Sequence, residues 1–127
     1  MTDRRRIAPL SEFEEATGFT RALRVGDRII VSGTTADGSP PPEDAGEQAE
    51  QIFRQIRSYI EELGGTMADV VRVRMFVTDI ADADAVSAAF TRNLKATCPT
   101  GTLVAISGLY HPGIKVEIEA EAVVRAG

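Results

Sequence analysis

Apolar residues recur at helical spacing between Gly46 and Leu63. Ala49, Ile52, Phe53, Ile56, Ile60 and Leu63 fall on one face of that segment. Gly64-Gly65 supplies a left-handed stop at its end. Each large side chain of the stripe, fully buried, contributes about 1.5–3 kcal/mol, so the helix must dock on a sheet. Strict alternation marks the sheet. Val71, Val73, Met75 and Val77 share one face of Val70–Val77, and Arg72, Arg74 and Phe76 share the other. Val116, Ile118, Ala120 and Ala122 alternate with Glu117, Glu119 and Glu121 along Lys115–Val123. Thr20–Val25 and Arg28–Val31 flank Gly26-Asp27, a two-residue hairpin turn. A second helix is predicted from an Asp82 cap to about Thr97, with Val86, Ala89, Phe90 and Leu94 as its inner face. Cys98-Pro99 stops it, because the residue before proline avoids helical angles. Thr102–Ile106 is a further strand. The proline-rich stretch Thr35–Asp44 and the segment holding Gly108, Pro112 and Gly113 are loops.

The predicted order is β-β-α-β-α-β-β, an α+β fold with two helices on one face of a mixed sheet. The length of 127 residues suits a single domain spanning 1–127, and no internal repeat or linker divides it. The opposite sheet face carries Glu117, Glu119 and Glu121 beside Arg72 and Arg74. It is either solvated, as antiparallel sheet faces often are, or it meets a second copy of the chain. Pairing of those arginines and glutamates would set register more than stability.

Composition narrows the function. The net charge is −5, against a general nucleic-acid binder. One cysteine, Cys98, makes no internal disulfide. No apolar stretch after the basic Met1–Arg6 resembles a signal peptide, and none is long enough to span a membrane. The expectation is a cytoplasmic protein with no membrane partner. One histidine and one cysteine argue against a metal site, and no phosphate-cradling glycine loop with a lysine points to a cofactor. His111 has the chemistry of an acid–base group or of an exposed loop residue. Cys98 lacks a recognisable thiolate-favouring setting.

Several separated blocks resemble the Rid family, also called YjgF. They are Phe19-Thr20-Arg21-Ala22-Leu23-Arg24-Val25-Gly26, Ile30-Val31-Ser32-Gly33, Asp69-Val70-Val71, Phe76-Val77-Thr78-Asp79 and Val116-Glu117-Ile118-Glu119-Ala120. The resemblance runs from about Thr17 to Val124 and implies a chorismate-mutase-like fold. It also implies a homotrimer with small-molecule clefts between subunits, and deamination of imines or enamines. Glu117 matches the glutamate that positions the attacking water. Phe19, Ser32 and Gly33 match cleft positions, with Phe19 where tyrosine is usual. Thr102 is expected to hold polar substrate atoms. The family's deaminases carry a carboxylate-clamping arginine where this chain has Gly101. Charged hydrogen bonds of such a clamp contribute roughly 1.5–3 kcal/mol each. Its absence, with Thr34-Thr35-Ala36 and Arg72-x-Arg74, resembles an arginine-lacking branch. Arg74 is the candidate replacement for the clamp. The expected function is an imine or enamine hydrolase; the alternative is a non-catalytic ligand-binding trimer. A nuclease is disfavoured by the acidic charge.

Overall fold

The computed structural model describes residues 3–38 and 40–125. One mixed sheet holds six strands: β1 (Arg4–Arg6), β2 (Ala22–Val25), β3 (Arg28–Thr34), β4 (Val70–Val77), β5 (Thr100–Ala105) and β6 (Val116–Val123). Their spatial order is β1-β2-β3-β6-β4-β5. Only β4 and β5 pair in parallel. The helices are α1 (Glu12–Thr17), α2 (Ala45–Glu62) and α3 (Ala83–Leu94). The mixed α+β sheet is as expected. The strand β1 and helix α1 were not, and they bring a new wall to the molecule. Among the described residues no helix is long and apolar enough to cross a membrane.

The predicted stripe of α2 is wholly buried against the sheet and α3. Asp44 starts the helix by accepting the Glu47 amide at 3.0 Å. At its other end Gly64 has φ of +90°, and the amides of Gly64 and Gly65 donate to the Glu61 and Ile60 carbonyls. The Leu63 carbonyl takes two guanidinium donors instead, Arg24 at 2.7 Å and Arg5 at 3.2 Å. These cations sit where the helix dipole is negative. A Cβ on Gly64 would lie 2.7 Å from the Arg24 side chain. Gly64→Ala is therefore expected to cost about 1–2 kcal/mol in urea unfolding, from left-handed strain together with a displaced cap.

α3 is shorter than predicted. Asp82 stands at its N-terminal boundary without capping it; the capping contact belongs to Asp79, whose carboxylate accepts the Ala81 amide in a preceding 3-10 turn. Cys98 ends the segment with φ of +55°.

Two irregularities set which side chains face which way. Between Val70 and Arg72, β4 uses one residue more than β6 does between Ala122 and Glu121. Val70 is buried and Val71 is 42% exposed, so Val71 leaves the face that the alternation assigned to it. Between Val31 and Thr34, β3 likewise carries one residue more than β6. Buried positions change from Ile29 and Val31 to Thr34 across this bulge.

The face away from α2 and α3 is charged and partly apolar. Arg74 donates to Glu119 at 2.8 Å and Arg28 to Glu121 at 3.0 Å. Both pairs reach solvent and contribute at most about 1 kcal/mol each. Ile30, Val71 and Val104 also remain exposed.

Candidate functional site

The bulge in β3 places Gly33 directly beneath the Glu117 side chain. A Cβ at Gly33 would lie 2.9 Å from the Glu117 carboxyl carbon and 3.1–3.2 Å from its oxygens. Only a residue without a side chain lets the carboxylate occupy that space. Along β6 the cross-strand neighbours on β4 differ in a telling way: Glu121 faces Arg72, Glu119 faces Arg74, and Glu117 faces Phe76. Glu117 is thus the β6 carboxylate with no basic residue opposite it. Burial, reinforced by repulsion from Glu119, pushes its carboxyl above the usual carboxylate range.

Glu117 opens into a groove of about 500 Å³. Gly33 and Thr34 of β3 line it, as do Phe13 and Glu14 of α1, and Phe19, Arg21, Tyr110 and His111 from loops. α1 is held by a polar knot. The buried Glu14 carboxylate accepts the Leu10 amide at 3.1 Å, the Ser11 hydroxyl at 3.1 Å and the Arg21 guanidinium. Arg21 also donates to the Tyr59 hydroxyl at 3.1 Å. Burial opposes ionisation of Glu14, but the Arg21 and Leu10 hydrogen bonds, the Arg21 charge and Ser11 overcome it and hold its carboxyl below the usual range. Arginine and glutamate here neutralise each other and anchor a six-residue helix too short to be stable alone.

Aromatic side chains form the outer wall. Phe13 meets Phe19 edge-on with ring centroids 5.8 Å apart, and Tyr110 at 5.9 Å. His111 stands edge-on to Tyr110 at 5.1 Å. All three hydrocarbon rings are exposed, Tyr110 at 84%.

The structure brings together Phe19, Gly33, His111 and Glu117 from the residues singled out in the sequence. Ser32 instead donates its hydroxyl to the Thr20 carbonyl at 2.6 Å, holding the β3 bulge against the segment before β2. Arg74 is engaged with Glu119. Gly101 and Thr102 lie on β5 at the far edge of the sheet. A Cβ at Gly101 would lie 3.7 Å from the Phe90 ring of α3. Phe13, Glu14, Arg21 and Tyr110 join the groove unforeseen. One signal was available: Ser11-x-x-Glu14 has the spacing of a capping box and marks a helix start. Among the described residues, no three His, Cys, Asp or Glu side chains group as metal ligands.

Residues 10–124 match the family model described as Endoribonuclease L-PSP. The chain belongs to this family, the YjgF or Rid family. A 2-iminobutanoate/2-iminopropanoate deaminase of Escherichia coli is 31% identical over 113 residues, 84% of this chain and 88% of the relative. An uncharacterised protein of Streptomyces coelicolor is 35% identical over 121 residues, 93% and 90% of the two chains. The crystal structure of Rv2704, a YjgF/YER057c/UK114 family member from Mycobacterium tuberculosis, superposes with a TM-score of 0.89 at 37% identity, covering 96% of this chain and all of that one.

Proposed function

We propose that the groove at Glu117 hydrolyses an imine or enamine metabolite, with Glu117 as the proton-transferring group. The observation that carries this reading is a half-buried carboxylate, raised in pKa and without a paired cation, at the base of a groove. A base with a raised pKa is better matched to work near neutral pH. Glu117 takes a proton from water as the water oxygen attacks the C=N carbon, and the π electrons move to nitrogen. The acid returns that proton to nitrogen, giving a carbinolamine. A second relay moves the hydroxyl proton to the amine, the C–N bond breaks, and ammonia leaves a carbonyl product. The deaminase relative supports the reaction class.

The chain belongs, in this reading, to an arginine-lacking branch. Gly101 stands where the deaminases' clamp is expected, and Arg74 is occupied by Glu119. The active assembly is a homotrimer in the cytoplasm, with β5 of a neighbour, including Gly101 and Thr102, closing the groove. The partly apolar, uncovered sheet face and the exposed β5 edge favour such a partner. Light scattering should give three times the 13.6 kDa chain mass; a monomer at micromolar concentration would remove the neighbour from the site. Ammonia release from a panel of imines and enamines, with and without a carboxylate, tests the reaction. Tight binding of a panel member without turnover would instead favour a ligand-binding trimer.

A further inference from the structure

The charge and aromatic content of the groove bear on which imines it takes, an inference that rests on the hydrolytic reading above. Arg21 is the arginine in the groove wall, and its guanidinium is matched by Glu14 and hydrogen-bonded to Tyr59. With that pair neutral, Glu117 and Asp37 set the sign of the groove. Asp37 accepts the Gln51 side-chain amide at 2.6 Å, a neutral donor that leaves its charge intact. The same groove is lined by Phe13, Phe19 and Tyr110, all exposed, with Phe13 in contact with each of the other two. Carboxylates and aromatic rings lining one groove form a setting that attracts cations, because an aromatic face carries negative quadrupole density. An anionic ligand would meet two like charges, and the arginine in the groove lining, Arg21, is already engaged by Glu14 and Tyr59.

We propose that the groove selects cationic ligands bearing an aryl or bulky apolar group, so that its substrate is an iminium ion and not an α-imino carboxylate. The anchors are Glu117 and Asp37 for the charge, and Phe13, Phe19 and Tyr110 for the apolar body. The hydrolysis then balances without any anion site. An iminium and one water give a carbonyl compound and a protonated amine: nitrogen becomes neutral as water adds, takes the proton held by Glu117 before the C–N bond breaks, and picks up the last proton, drawn from the hydroxyl, as it leaves. The short helix α1 acquires a role here, since it delivers Phe13 to the wall and Glu14 to Arg21.

Calorimetric titration of the 127-residue chain with benzylammonium, benzyl alcohol and phenylacetate tests the proposal, since the three probes share a ring and differ in charge. Benzylammonium is expected to bind at least about fivefold more tightly than benzyl alcohol, with phenylacetate weakest. Asp37→Asn and Glu117→Gln should weaken the cation selectively. Tyr110→Leu should narrow the gap between cation and alcohol. Thermal unfolding of each variant shows that it is folded. Phenylacetate binding as tightly as benzylammonium, and losing that affinity in Arg21→Gln, would make Arg21 an anion clamp and overturn the proposal. So would a cation preference untouched in all three folded variants, or no detectable binding of any probe. The two readings fail separately. A cation preference without ammonia release from any iminium removes hydrolysis alone, whereas ammonia release with the reverse charge preference removes the present proposal alone.

Discussion

Glu117→Gln is expected to reduce ammonia release by about 10²–10⁴-fold, the range lost when a general acid–base group is removed. Glutamine keeps the shape above Gly33 and removes only the proton transfer. The same substitution should raise thermal stability near neutral pH. Glu117 has a folded-state pKa above its unfolded value, so the folded chain binds the proton more tightly. Stability from this group is therefore present at low pH and lost as pH rises through the folded pKa. At neutral pH the ionised carboxylate is a net cost, and replacing it with a neutral amide is expected to raise the melting temperature by about 1–3 °C. In the wild-type protein, the rate should fall as acid protonates Glu117, with an inflection above the ordinary carboxylate range. Full activity in the folded variant would exclude Glu117 as the proton-transferring group.

Phe53→Ala should be the most damaging of the core truncations, at about 3–5 kcal/mol in urea unfolding. Phe53 is 1% exposed, sits on the buried stripe of α2, and meets Phe90 of α3 edge-on at 6.4 Å. Its removal opens a void at the junction of both helices with the sheet. A domain stability of about 5–15 kcal/mol leaves little margin after such a loss. A change below about 1 kcal/mol would mean that the two helices are not docked through this contact.

The sheet and long helix were legible because their signals are redundant. α2 repeats its apolar period over five turns, and β6 alternates without interruption. The bulge at Val71 was not legible, since an extra residue in a strand leaves the residue pattern looking regular while reversing its phase. β1 is three consecutive arginines, which carry no alternation at all. Its placement depends on pairing with β2 and on Arg5 reaching the Leu63 carbonyl, both non-local facts. The site divided along the same line. Glu117 and Gly33 could be named because the sequence blocks that hold them resemble those of the family, although the β3 bulge that sets Gly33 beneath the carboxylate left no mark in the pattern. Phe13, Arg21 and Tyr110 converge from segments distant in sequence and could not.

The bulge in β3 also bears on how the chain tolerates changes of length. Residues 28–31 take their phase from the hairpin, whereas Thr34 takes its phase from Ile118. The extra residue at Ser32-Gly33 reconciles the two. Deleting one residue there would turn Thr34 outward or drive Val31 toward solvent, and in either case carry glycine away from the carboxylate. A few residues later the described residues of the proline-rich loop pair with no strand and are held by side-chain bonds from Gln48, Gln51 and Gln55 of α2. Insertions and deletions among relatives should therefore collect in that loop and avoid the two positions before Thr34, and a length change at those two positions would mark a chain that has given up the Glu117 site.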